Sequence, residues 1–238
     1  MVSTLDVAPM LSIISYNIHK GIRFTVGGDA LETIAEQLRG QRADVIMLQE
    51  AGEHGRQASQ LAQALGYTLV YAQTARHGHG NAILSKQPIA VQGKLDLTLH
   101  RLEQRGLLHC RGEWQGRTVH LCTTHLNLRE HHRHRQIDKI IAYIHRHIPK
   151  DEAVVLAGDF NDWRQRLCRP LAQRVALIDA HRQCFGAPAK TFPALAPMLA
   201  LDRIYSRHLQ PLSATVANTS PWQASDHAPI QAHFSSLQ

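Results

Sequence analysis

No run of the sequence approaches the ~18 to 20 consecutive apolar residues that a membrane-spanning helix requires. The opening stretch, Met1 to Pro9, lacks a cationic region followed by a sustained apolar segment. A soluble, cytoplasmic protein without a secretory signal is therefore expected. Cysteine is scarce: Cys110, Cys122, Cys168 and Cys184 show no C-x-x-C spacing, which argues against a structural zinc site and against a disulfide framework. Aromatic residues make up 5% of the chain, too few for a visible platform on which single strands of nucleic acid would stack. No Gly-, Ser- or Pro-rich linker interrupts the sequence.

What is present is ample apolar material, 44% of 238 residues, enough for a sizeable core without covalent staples. The expectation is one domain over residues 1–238, built of two similar halves at roughly 10–115 and 116–236. The charge balance is +7 with a pI of about 9.5. Such a balance favours an anionic partner, because summed positive potential concentrates phosphate-bearing molecules. Nucleic acid, an anionic membrane surface touched peripherally and small phosphate esters all satisfy it, and solubility alone also accounts for it. Oligomeric state stays open.

Short β-branched runs alternate with helical patterns. Residues 11 to 17 and 44 to 49 read as strands around a helix near 29 to 40, in which Leu31, Ile34, Ala35 and Leu38 recur at helical spacing. A helix near 54 to 65 leads through Gly66 to strands at 67 to 71 and 81 to 84. Further along, strands near 107 to 113 and 118 to 126 precede a long helix with Ile137, Ile140, Ile141, Ile144 and Ile148 on one face. Pro149 stops that helix and Val154 begins another strand. Beyond about residue 165 the pattern loosens, and Thr191-Phe192-Pro193 reads as a loop feeding a strand at 201 to 205. The plan predicts a two-sheet α/β sandwich with helices outside.

Polar residues end many of these runs: Asn17, Glu50, His125, Asp159 with Asn161, and Asp202; the pair Asp226-His227 follows near the far end. Open α/β sheets gather ligand groups beyond the carboxyl ends of their strands. Glu50 and Asp226 are hard oxygen donors suited to Mg²⁺ or Mn²⁺, and Asn17 adds an amide oxygen. Asp159 can take a proton from water, while His125, His227 and Asn161 can donate to phosphate oxygens. Asp202 is the natural orienter of His227. No Ser or Cys sits in a G-x-S-x-G nucleophile elbow, so direct attack by water is favoured over a covalent intermediate.

Taken in order, Asn17, Gln49-Glu50, Gly80-Asn81-Ala82-Ile83-Leu84-Ser85, Thr124-His125-Leu126, Gly158-Asp159-Phe160-Asn161, Leu201-Asp202-Arg203-Ile204-Tyr205 and Ser225-Asp226-His227 resemble the endonuclease/exonuclease/phosphatase superfamily. The resemblance spans about residues 11 to 234 and implies a four-layered α/β sandwich with two central mixed β-sheets flanked by helices. It also implies a divalent-metal phosphoesterase. Asn17, Glu50 and Asp226 would hold the metal, Asp159 and Asn161 would position water and phosphate, and His125 and His227 would contact the phosphate. Asp159 would also approach a second metal in some family mechanisms, which leaves one or two metals open.

Further motifs, Asn17-Ile18-His19-Lys20-Gly21, Arg105-Gly106-Leu107-Leu108, Asp159-Phe160-Asn161-Asp162-Trp163-Arg164 and Thr191-Phe192-Pro193, are most similar to an uncharacterised bacterial branch. At the His125 position abasic-site endonucleases of this superfamily typically carry tyrosine, which sets this chain apart from them. The resulting expectation is a phosphodiesterase with nuclease-like chemistry. Phospholipid or phosphomonoester hydrolysis is the second enzymatic reading, and a basic anion-binding scaffold the non-enzymatic one.

Arg105 and Asn81 are candidates to bind substrate, against a surface salt bridge for the first and a turn-closing amide for the second. His19 has two readings, a place beside Asn17 in support of it and, slightly preferred, a solvated loop histidine. The run His131-His132-Arg133-His134-Arg135 suggests zinc or a nucleic-acid track, but its place at the start of an amphipathic helix favours a solvated basic surface. Trp163 and Trp222 flank the expected catalytic loops, where they could contact a base or an acyl chain, against a role as buried loop anchors.

Overall fold

A computed structural model describes residues 10–23, 28–217 and 224–236. In chain order its elements are β1 (Leu11–Asn17), α1 (Leu31–Gln41), β2 (Val45–Ala51), α2 (Arg56–Leu65), β3 (Thr68–Gln73), β4 (Gly80–Ser85), β5 (Ile89–Asp96), β6 (Gly106–Trp114) and β7 (Arg117–His125). There follow α3 (Glu130–His147), β8 (Ala153–Asp159), α4 (Cys168–Val175), β9 (Ile178–Asp179), α5 (Ala180–Phe185), β10 (Asp202–Arg207), β11 (Leu209–Val216) and β12 (Ile230–Ser236). The strands form two six-stranded mixed sheets in the orders β11-β12-β1-β2-β4-β3 and β5-β6-β7-β8-β10-β9. Only β1 with β2 and β7 with β8 pair in parallel; each of these pairs is joined by a helix, α1 or α3.

Side-chain alternation along the strands creates the layers. On β1, Ile13 faces the seam between the sheets, where it joins Met47, Ile83, Leu108, Leu121, Val155, Ile204 and Phe234. Its neighbours Ile14 and Tyr16 face outward onto Ile34 and Leu38 of α1 and Leu61 of α2. The second sheet presents Leu107, Cys122, Val154 and Leu156 to the isoleucine stripe of α3 and to Leu171 of α4. Four layers result. No helix among the described residues is long and apolar enough to cross a membrane.

The sheets do not coincide with the sequence halves. The β5–β6 hairpin lies within the first half yet builds onto β7, and the β11–β12 hairpin at the far end returns to β1. Strand β5 escapes the sequence pattern because it is an edge strand with mostly exposed or half-buried side chains. It carries a register shift between Val91 and Gly93, a common device on exposed edges. The stretch after residue 165, which reads as loose, contains α4, the two-residue β9 and α5, all too short for a periodic signal.

One glycine decides how the central strands of the second sheet meet. Gly158 has φ +148, and a Cβ there would lie 1.9 Å from the Thr124 carbonyl oxygen of β7. Only hydrogen fits, and the close approach seats Asp159 directly opposite His125 in the ladder. Gly158→Ala should cost about 3 kcal/mol by overpacking. For a chain of this size that is a fall in Tm on the order of 6–12 °C. A thermal melt by circular dichroism checks it; an unchanged Tm would mean the strands can part without penalty.

Candidate active site

The carboxyl ends of β1, β2, β7 and β8 lie on one edge of the sandwich, and they deliver Asn17, Glu50, His125 and Asp159. Asp202 departs from the expectation: it is the first residue of β10, not the last of a preceding strand. It reaches the same edge because β10 runs antiparallel to β8, with Asp202 opposite Asp159. Asn81, at the start of β4, and Asp226-His227, just before β12, arrive by the same reversal.

Backbone irregularity aims two of these side chains. Glu50 adopts φ 56 where the β2–β4 register shifts between Leu48 and Ala51, so a bulge swings its carboxylate out of the strand alternation. Asn161 adopts φ 50. Its backbone N–H donates to Asp159 Oδ1 at 2.9 Å, and its side-chain nitrogen donates to the Leu126 carbonyl at 3.0 Å. Left-handed backbone at non-glycine residues is uncommon and concentrates at functional sites.

The centre of the site is Asp159 Oδ2. Asn17 Nδ2 donates to it at 3.0 Å, His125 Nε2 lies 3.5 Å away and His227 Nε2 3.7 Å away. Asn17 Nδ2 also reaches Glu50 Oε1 at 3.3 Å, while its oxygen accepts from the His19 N–H at 3.1 Å. Asp226 joins through the serine before it, whose hydroxyl donates to the Asn17 carbonyl at 2.7 Å. Contrary to the solvated reading, His19 is only partly exposed, and its Nδ1 sits 3.3 Å from Asp226 Oδ1.

The two histidines are driven to opposite protonation states. Burial works against a charge on His227, but Asp202 and then Asp159 overcome it and push its pKa up to about 10. Its Nδ1 donates to Asp202 Oδ2 at 2.8 Å, leaving Nε2–H aimed at Asp159. Burial, reinforced by Arg105, holds His125 down to about 3, so its ring is neutral. The Asn161 side-chain nitrogen, fixed as a donor by the Leu126 carbonyl, lies 3.3 Å from His125 Nε2. That contact puts the ring proton on Nδ1, 3.9 Å from Glu50 Oε1. Separated titrations of this kind divide the roles of two otherwise similar groups.

Asn81 is buried, and its amide nitrogen bonds the Gly106 carbonyl at 2.9 Å, tying β4 to β6 across the seam. Arg105 is mostly buried, holds Glu103 only loosely at 3.8 Å, and has a buried Nε with no partner. Its charge also acts on the nearby His125 ring.

Two groups that the sequence shows only as motif members support the site. Thr191 donates its hydroxyl to Asp202 Oδ2, and Phe192 packs its ring 5.0 Å from that of His227. The Thr191-Phe192-Pro193 motif therefore holds the Asp202-His227 pair. Gln49, fully buried, bridges the sheets by donating to Thr123 Oγ1 at 3.0 Å. Trp163 is 47% exposed and is no buried anchor; Trp222 lies outside the described residues. In the His131–Arg135 run, His132 and Arg133 are buried while His131, His134 and Arg135 are exposed, so the basic-surface reading holds for only part of it.

The family model for the Endonuclease/Exonuclease/phosphatase family matches residues 14–227, an interval containing every residue just described. The chain belongs to this family. Over 241 aligned residues it is 33% identical to the uncharacterized protein YbhP of Escherichia coli K12, covering 93% of this chain and 95% of that one. Among solved structures of the same phosphoesterase fold, TDP2 of D. rerio complexed with a single-strand DNA product matches with TM-score 0.76 at 20% identity, over 95% of this chain and 99% of that one. The mannosyl-6-phosphatase of Bacteroides thetaiotaomicron matches with TM-score 0.80 at 16% identity, over 94% and 99%. At such identities both likenesses speak to the fold alone. The family fold is thus present across the described residues, as two six-stranded sheets flanked by helices.

Whether a divalent cation suits this family member's site follows from its donors. Glu50, Asp159 and Asp226 carry oxygens of the kind Mg²⁺ and Mn²⁺ prefer, and so many carboxylates at one edge call for a counter-charge. The trio Asp159, Asp202 and His227 offers ligand atoms within 4.8 Å of one another. It fits a cation poorly, because His227 Nδ1 is already bonded to Asp202 and the ring carries a proton. Glu50 and Asp226, on either side of Asn17, fit better. For Asn17 to ligate through oxygen, its amide must turn over from its present bonds.

Proposed function

We propose that the whole chain acts as one domain and as a divalent-metal-dependent phosphodiesterase, hydrolysing its ester with directly activated water as nucleases do. The observation that carries this reading is the convergence of Asn17, His125 and His227 on Asp159 Oδ2. A carboxylate held by Asn17 and the Asn161 N–H has one oxygen directed into the site, ready to accept a proton from water. The His227 imidazolium, fixed by Asp202, supplies a positive N–H donor to the charge that develops on a phosphoryl group. Asn161 keeps that carboxylate in place through its backbone N–H, neutral His125 keeps its Nδ1–H as a donor for a phosphate oxygen, and Arg105 would face a non-bridging oxygen. Glu50 and Asp226 would hold the cation, Mg²⁺ or Mn²⁺, joined by Asn17 once its amide turns over and leaves Asp159 to the Asn161 N–H. When bound it would polarise a phosphate oxygen and offset its charge.

The test is turnover by the purified chain of DNA, RNA, phospholipid and activated aryl phosphodiesters and monoesters, with Mg²⁺, Mn²⁺ or chelator. Activity on a diester with metal, abolished by chelation and by Glu50→Gln, is the expected outcome. A saturating cation should also raise stability, by about 2.7 kcal/mol at 100 times Kd, readable as a rise in Tm. A folded, metal-bound protein inert on every ester would leave the anion-binding scaffold as the better reading. Preference for monoesters would move the assignment to a phosphatase.

A further inference from the structure

Three neighbouring loops on the active-site edge of the second sheet each set an apolar side chain beside an arginine: Arg101-Leu102 between β5 and β6, Leu128-Arg129 between β7 and α3, and Trp163-Arg164 after β8. Leu102 is 84% exposed, Leu128 69% and Trp163 47%, and the three arginines are exposed beside them. Single exposed leucines are ordinary, but aligned ones on one rim mark an interaction surface.

These tips are held firmly. Glu103 accepts from the Leu128 N–H at 3.0 Å and from Asn127 Nδ2 at 2.8 Å, binding the first loop to the second. Arg164 lies over the Trp163 ring, 4.4 Å from its centroid, and reaches Glu130 at 3.4 Å, joining the third loop to the start of α3. Beneath them, buried Arg133 donates to the carbonyls of Asn127 and Leu128. Buried Gln136 bonds the Asn127 side chain and the Leu97 carbonyl, at 2.7 and 2.9 Å. None of these bonds reaches Asp159 or His227. The buried part of the basic helix start thus serves to hold outward-facing apolar groups in water.

We propose that this rim docks the protein on an anionic phospholipid surface. Leucine and tryptophan tips suit the boundary between headgroups and acyl chains, and the interleaved arginines match the lipid phosphates. The +7 charge of the chain supplies the longer-range attraction. A nucleic acid fits less well. Bases are gripped by stacking on flat rings, yet two of the three tips are aliphatic and one face of the third is covered by Arg164. Docking on this rim would set the mouth of the active site against the lipid surface. The inference goes beyond the proposed chemistry, since it is read without turnover.

Co-flotation of the full chain with vesicles of phosphatidylcholine alone, or mixed equally with phosphatidylglycerol, tests it. Binding to the anionic vesicles is expected, with a blue shift in tryptophan fluorescence that Trp163→Phe removes. The double variant Leu102→Asn/Leu128→Asn should bind ~10-fold more weakly or worse, with Tm and turnover of a soluble ester unchanged. Absence of vesicle binding would overturn the proposal. So would binding abolished by salt but indifferent to the two leucines, or a DNA oligonucleotide that binds in a manner dependent on Leu102 and Leu128.

Discussion

Asp159→Asn should lower turnover of a phosphodiester by about 10²- to 10⁴-fold, the range over which a positioned general base contributes. The substitution preserves shape and removes only the charge and basicity. Asp159 Oδ2 receives Asn17 Nδ2 and faces both histidines, while Oδ1 receives the Asn161 N–H. An amide at this place keeps one carbonyl oxygen for one of the two donors and turns an NH₂ toward the other. The loss of one such bond costs about 1 kcal/mol. Relief of repulsion among Glu50, Asp159, Asp202 and Asp226 works in the opposite direction, so the variant should stay folded. A steady-state assay beside a thermal melt separates the two effects. Turnover within about tenfold of wild type would place the base elsewhere and remove the central support for the proposed chemistry.

The place of this carboxylate at a strand end is legible in the sequence. Asp159 closes a short apolar run, Val154 to Gly158, and is followed by Asn161, a combination whose side chains suit water activation. Asn17, Glu50 and His125 were legible on the same ground, as polar ends of strands that a parallel pairing brings to one edge. Asp202 was found for an incomplete reason: its membership of the site depends on the antiparallel pairing of β10 with β8, which a run of apolar residues does not encode. Strand β12 was missed although Ile230, Ala232 and Phe234 alternate as a buried strand should, because a short alternation beside a loop competes weakly with the catalytic pair before it. Thr191 and Gln49 stand in recognisable motifs, yet nothing in their spacing reveals what they hold. Their partners, Asp202 and Thr123, are distant in sequence or come from the other sheet, so only the assembled sandwich reveals them. The same holds for Arg133, whose burial contradicts its charge until the carbonyls of Asn127 and Leu128 are seen to receive it.

Asp202→Asn should be nearly as damaging at alkaline pH, and its signature is a changed pH profile. In the wild type, folding raises the His227 pKa from the usual 6.5 to about 10. The stabilisation from that proton is present in full below about 6.5 and is lost as pH rises through about 10. The protonated donor therefore persists across the neutral and mildly alkaline range. Without Asp202, burial of the ring opposes the charge and only Asp159 and the more distant Asp226 still favour it. Removing an opposite charge at hydrogen-bond distance lowers a pKa by about 1 to 3 pH units. The alkaline limb of activity should move down by that amount, from about 10 to about 7 to 9, and above the new limb turnover should fall toward the roughly 10²- to 10³-fold loss of a missing donor, with little change near about pH 6. Titration of the His227 ring by NMR reads the pKa directly. Thr191→Val is the control: it removes the hydroxyl from Asp202 but leaves the carboxylate charge, so it should move the limb far less. If Asp202→Asn slowed turnover while the His227 titration stayed near its wild-type position, Asp202 would act by fixing the ring's orientation, and the charge on His227 would owe its stability chiefly to Asp159.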